Sequence, residues 1–113
     1  MPQTLAVVVT GDPRQSTAGV EALRIALGLS TGDNSVSIIL LGAATRLLTD
    51  DEDLSDGDIL EQYLPSLKEL QIPFVVPPST LTQVPVALGF NVREAPQKDI
   101  SRLIHTADRT LIF

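Results

Sequence analysis

The sequence predicts an α/β fold, a three-layer sandwich in which helices cover both faces of a five-stranded, mainly parallel sheet. Short apolar runs rich in β-branched residues alternate along the chain with segments whose apolar residues recur at helical spacing. The strand-like runs are apolar throughout, which is typical of parallel strands buried on both faces. We therefore expect a doubly wound sheet with flavodoxin-like strand order.

Length and charge restrict the classes of partner. The 113 residues predict one domain over 1–113. Hydrophobic residues make up 43% of the chain, so we expect another chain to cover part of its surface. A net charge of -6 disfavours nucleic acid as a direct partner. The first apolar run, at 5–9, is too short for a signal peptide or a membrane span, so we expect a cytoplasmic protein.

The first half of the chain predicts two strands with a long helix between them. A β-branched run at 5–10 forms the first strand. The helix that follows extends to Leu29, and either Ser16 or Thr17 can cap it because a hydroxyl oxygen accepts a hydrogen bond from a free amide of the first turn. A second strand is expected at 36–42, followed by a short helix at 43–48.

The second half predicts two longer helices and several short elements. Pro65 lies within a helical pattern at 59–70 and predicts a kink or a late start, since proline lacks an N–H and crowds the preceding turn. Pro73 suits the first position of a strand at 73–76. The remaining elements are a helical turn near 79–83, a brief strand near 91–93, a helix that begins near Pro96 and a final strand at 110–113.

Thiol and metal chemistry find little support. The chain has no cysteine, which excludes disulfides, zinc–thiolate sites, iron–sulfur clusters and persulfide chemistry on its own side chains. The acidic segment at 49–58 lacks the spacing of a calcium loop, because neither Asp50 nor Asp51 as first ligand gives glycine at the sixth position and glutamate at the twelfth. We expect a solvated loop there, with no metal and no cofactor.

Five polar residues follow predicted strands and are candidates for a ligand pocket. Asp12 and Arg14 follow the first strand, Arg46 follows the second, and Ser79 and Thr80 follow the third. The carboxyl ends of parallel strands meet at one edge, so the arginines could hold an anion or a partner's carboxylate there, or be solvated surface residues. An ordinary turn is favoured over a phosphate cradle after the first strand, since that loop has one glycine and Asp12 would repel an anion.

No catalytic residue is predicted. His105 is the only histidine, and its expected position near the end of the last helix favours a structural role against the negative helix terminus. The nucleophile elbow G-x-S-x-G is absent. An enzyme that uses Ser79 with a carboxylate is the weakest hypothesis, because no base lies at a supporting spacing.

Several segments in order resemble a known family. The helix segment "ALRIALGL" precedes "VSIILLGAATRLL", and the chain closes with "LIHTADRTLIF", which contains the pair Ala107 and Asp108 before a short apolar strand. This combination resembles the DsrE/DsrF-like sulfur-relay proteins over nearly the whole chain, although no single motif is specific. The resemblance implies a DsrE-like fold.

The resemblance also implies a role without catalysis. Active members of that family carry a cysteine just after the third strand, which accepts persulfide sulfur and passes it on in tRNA thiolation or dissimilatory sulfur metabolism. The matching segment here is "PPSTLTQ", around Ser79 and Thr80, and a hydroxyl cannot form a persulfide. We expect an accessory or scaffold subunit linked to intracellular sulfur transfer.

Two further expectations concern partners and ligands. Family relatives assemble as trimers or hexamers, so the resemblance implies a homo-oligomer and allows a cysteine-bearing sulfur-carrier protein as partner. The alternative is a module that binds a small anion or a nucleotide-like ligand in the crevice at the carboxyl ends of the strands.

Overall fold

All strand pairings in the sheet are parallel. The computed structural model describes residues 3–49, 57–87 and 89–113, so most of the predicted acidic loop at 49–58 lies outside the described residues. The strands are β1 (Thr4–Val9), β2 (Ser35–Leu40), β3 (Phe74–Val76), β4 (Val92–Glu94) and β5 (Arg109–Ile112). The helices are α1 (Ala18–Ser30), a 3-10 helix (Gly42–Leu48), α2 (Gly57–Glu69), α3 (Thr80–Gln83) and α4 (Gln97–Thr106).

The five-stranded parallel α/β architecture is confirmed, but the predicted flavodoxin-like strand order is wrong. The observed order is β4-β3-β2-β1-β5, in which β1 lies between β2 and β5. A flavodoxin-like sheet would instead place β1 between β2 and β3. The chain moves outward from β1 through β2 and β3 to β4, and reverses only once, when α4 returns it to β5 on the other side of β1.

The single reversal explains how the helices are distributed. Crossovers between parallel strands are right-handed, so a helix that returns the chain in the opposite direction must cover the opposite face. Val7 of β1 packs in the larger core, which includes Leu23 of α1 and Leu67 of α2. The neighbouring Val8 packs in a second core with Ile100 of α4. Successive residues of one strand thus contribute to both helical layers.

The helix boundaries refine several predictions. Thr17 occupies the N-cap position of α1 without a side-chain capping hydrogen bond, while the Ala18 amide donates to Ser16 Oγ, one residue earlier, at 3.1 Å. Of the two alternatives predicted at Pro65, a kink or a late start, the late start is wrong, because α2 begins at Gly57 and includes this proline. Within the described part of the chain, every helix is too short or too polar to cross a bilayer.

Candidate functional site

The five predicted site residues all follow strands at the carboxyl edge of the sheet. Asp12 and Arg14 lie in the loop between β1 and α1, and Arg46 lies in the 3-10 helix that follows β2. Ser79 and Thr80 lie at the start of α3, after β3. Parallel pairing of β1, β2 and β3 brings these three connections to the same edge.

The charged residues of this edge compensate one another. Arg14 Nη2 lies 2.9 Å from Asp12 Oδ2, and Arg14 Nε donates to Asp12 Oδ1 at 3.1 Å. The backbone amide of Arg14 also donates to Asp12 Oδ1, at 2.9 Å. The hydrogen bond from the Arg14 side chain lowers the pKa of Asp12, and the positive charge of Arg46 acts in the same direction. The Asp12 carboxylate is therefore already the negative charge that Arg14 and Arg46 attract.

Three hydrogen bonds that involve side chains hold the loop after β3, two within the loop and one to β4. Thr80 is buried, and its hydroxyl donates to the Pro77 carbonyl at 2.7 Å. The Thr82 hydroxyl donates to the Ser79 carbonyl at 2.9 Å. The Leu81 amide donates to Glu94 Oε2 at 2.8 Å, which ties the loop to the end of β4. Thr80 is therefore a structural residue, with its hydroxyl engaged in the turn.

Ser79 differs from Thr80 in both exposure and backbone conformation. It is exposed, and its φ of 69° lies in the left-handed region, which costs a non-glycine residue about 1–2 kcal/mol. Within the part of the chain that the structure describes, no histidine or carboxylate hydrogen-bonds its hydroxyl. Among the described residues, the turn thus presents a hydroxyl at the surface without a base that contacts it.

Metal ligation finds no support among the described residues, which contain no group of three or more His, Asp or Glu side chains close enough to hold an ion. His105 is exposed in the last turn of α4. Its position agrees with the predicted place at a helix end.

Comparison with known proteins gives a match at the level of structure. No family model matches the chain, and no curated protein matches it. The crystal structure of the ychN protein from E. coli aligns with a TM-score of 0.78, over 98% of this chain and 99% of that chain. The fold is DsrE-like. Sequence identity in this alignment is 19%, a level at which the likeness shows the fold alone.

The DsrE-like fold also forms a cavity that sequence reasoning missed. A space of about 250 Å³ lies between the carboxyl ends of β2 and β3 and the helix α4. Its lining residues are Leu41, Pro77, Pro78, Gln97, Ile100, Ser101 and Ile104. Ile100 and Ile104 lie one turn apart on α4, the spacing of an apolar helical face. No sequence signal showed that the two prolines would line the same space.

Proposed function

We propose that this chain is a non-catalytic DsrE-like protein that serves as an accessory or scaffold subunit in intracellular sulfur transfer. The observation that carries the proposal is the exposed, left-handed turn at Ser79, directly after β3. This is the place at which the DsrE/DsrF-like family that the sequence resembles carries its sulfur-accepting cysteine. Here the turn presents a hydroxyl, and the whole chain lacks a thiol.

The difference between a hydroxyl and a thiol supports the proposal that this chain does not transfer sulfur by itself. A persulfide forms when a thiolate attacks a sulfane sulfur, which makes a new S–S bond and releases the remainder of the donor as an anion. A serine hydroxyl has no corresponding product, and its ionisation lies far above that of a thiol. Ser79 also has no base to activate it among the described residues.

Introducing a thiol at position 79 tests the proposal. We expect the variant Ser79→Cys to gain a single sulfur atom from inorganic polysulfide, as Cys–S–SH, while the native chain gains none. The measurement is intact mass before and after reduction. Ser35→Cys is the matched control, because Ser35 is also exposed but lies at the amino end of β2, the opposite edge of the sheet.

Two results would contradict the proposal. The first is covalent sulfur on the native chain. The second is equal rates of sulfur uptake for Ser79→Cys and Ser35→Cys, because the turn after β3 would then offer a thiol nothing beyond surface exposure.

Association with other chains belongs to the same proposal. The subunit would form a trimer or hexamer of its own copies, and would meet a cysteine-bearing sulfur carrier as partner. The high apolar content supports association, as do large apolar side chains on the surface, of which Ile112 is 73% exposed. Sedimentation of the purified protein checks this, and a strict monomer at micromolar concentration would count against it.

The alternative function, a module for small anions or nucleotide-like ligands, has weaker support. The ion pair between Asp12 and Arg14 neutralises part of the charge that an anion would need. The Thr80 hydroxyl is already donated to Pro77. Thermal denaturation in the presence of phosphate and of nucleotides tests this alternative, because a ligand that binds the folded state raises the Tm.

A further inference from the structure

The cavity beside α4 has rigid, apolar walls. Pro77 and Pro78 form one side, and their rings fix the backbone φ angles, so this wall has little conformational freedom to lose on binding. Ile100, which is buried, and Ile104, which is half-buried, contribute from the helix. Leu41, just beyond β2, supplies a further apolar surface. A preformed apolar space of this kind favours an apolar occupant.

Two neutral polar side chains complete the lining. Gln97 and Ser101 are exposed and lie one helical turn apart on α4, so both lie on the same side of the helix. Neither side chain hydrogen-bonds another residue in the described part of the chain. Each can donate and accept a hydrogen bond, and neither carries charge.

The charge of the lining restricts the ligand further. None of the seven lining side chains is ionisable, so a charged group that entered the cavity would lose water without meeting an oppositely charged side chain of the lining. The net charge of the chain, -6, adds a general penalty for anions. A neutral ligand avoids both costs.

We propose that this cavity binds a small, uncharged and largely apolar molecule that carries one neutral hydrogen-bonding group. The apolar part lies between the two prolines and the isoleucines, and the polar group meets Gln97 and Ser101. This inference goes beyond the proposed function and does not depend on it, since the cavity involves neither a thiol nor Ser79.

The surroundings favour a small molecule over a second protein chain. A stable protein interface buries about 1,200–2,000 Å² in total and usually has an apolar centre that extends over many residues. Among the residues whose burial the structure describes, none of the exposed large apolar side chains (Ile59, Leu70, Leu81 and Ile112) lines this cavity. The site is therefore a space of about 250 Å³ whose lining includes none of these exposed apolar side chains.

Methyl NMR with three single-ring probes tests the proposal. Benzamide is neutral and can both donate and accept, benzoate has nearly the same shape with a negative charge, and toluene lacks the polar group. We expect benzamide to shift the methyl signals of Ile100 and Ile104 saturably, with a Kd on the order of 1 mM. Benzoate should bind at least about tenfold more weakly, because its charge must be desolvated without a partner.

Variants of α4 separate the polar contact from the apolar one. Gln97→Leu should weaken benzamide binding about two- to tenfold, the range for one lost hydrogen bond, and leave toluene binding equal or stronger. Lys98→Leu is the matched control, since Lys98 is exposed on the same helix but does not line the cavity. It should leave the affinities for both probes unchanged.

Three outcomes would overturn the inference. One is the absence of a saturable shift with benzamide up to its solubility. Another is equal affinity for benzoate and benzamide. The third is a change in the Ile100 and Ile104 signals on dilution without any probe, because a second copy of the chain would then occupy the cavity. A thiol-loading result for Ser79→Cys affects none of these readings.

Discussion

Gly19 and Gly28 both lie in α1, where glycine has low helix propensity, but the space around them differs. A Cβ at Gly19 would lie 2.8 Å from Leu47 Cδ1 and 3.0 Å from Leu47 Cδ2. Leu47 belongs to the 3-10 helix and is fully buried, so it has no free space into which to move. At Gly28 nothing lies within 4 Å of an added Cβ.

These environments predict opposite effects of the same substitution. Gly19→Ala should lower the free energy of unfolding by about 1–2 kcal/mol, because overpacking outweighs the gain in helix propensity. Gly28→Ala should raise the free energy by about 0.5–1 kcal/mol, since only the propensity gain remains. Urea denaturation of both variants measures the difference. Equal changes would show that Leu47 moves aside at little cost.

The candidate site was predictable from the sequence only as far as local spacing reaches. Ser79 and Thr80 were correctly placed in the loop after the third strand, since the apolar run ends at Val76 and prolines follow. The cavity was not predictable, because it joins three distant segments around Leu41, Pro77 and Ile100. Their proximity follows from the strand order and from the face that α4 covers.

The helix α2 contains its proline in the interior, where the sequence predicts a kink or a late start. Pro65 lies nine positions into a helix that runs from Gly57 to Glu69. It therefore removes one N–H from the helical hydrogen-bond pattern and crowds the preceding turn. Since Pro65 is exposed, its ring contributes little to the core.

Replacing this proline should stabilise the protein. We expect Pro65→Ala to raise the free energy of unfolding by about 2 kcal/mol, because alanine restores the N–H, although a more flexible unfolded chain offsets part of the gain. Ser66→Ala, at the exposed neighbouring position, should change it by less than about 0.5 kcal/mol. Thermal denaturation with calorimetry compares the two. If Pro65→Ala left the free energy of unfolding unchanged, the helix would already have relaxed fully around the proline ring.

At the level of elements, the sequence predicted the type and sequential order of the strands and helices better than their spatial order. The β-branched runs and helical periodicities of β1, α1 and α4 are strong signals, and the structure has these elements. The spatial order β4-β3-β2-β1-β5 depends on where the chain reverses. Alternation of strands and helices is the same whether the reversal precedes β3 or β5, so this information is absent from the pattern.

The whole molecule is organised around strands that two helical layers share. Val7 of β1 packs with α1, while Val8 packs with α4 on the opposite face. β5 pairs directly with β1, and the Thr4 amide donates to Asp108 Oδ2 at 2.8 Å just before β5 begins. If either helical layer separated from the sheet, apolar side chains on that face of β1 would be exposed. The other layer packs against the same strand, so it would lose its support as well.

This sharing predicts a single cooperative unfolding transition. Two residues that occur once in the chain report on the two layers separately: Tyr63, packed against the larger core, by fluorescence, and His105, on α4, by its ring proton signals. We expect both probes to give the same urea midpoint as circular dichroism, as for a two-state domain. Leu23→Ala and Ile100→Ala each remove a buried side chain from one layer. Each substitution should lower the free energy of unfolding by about 2–5 kcal/mol and lower both urea midpoints together. If the His105 signals of Ile100→Ala instead changed at a lower urea concentration than the Tyr63 fluorescence, α4 and β5 would unfold on their own.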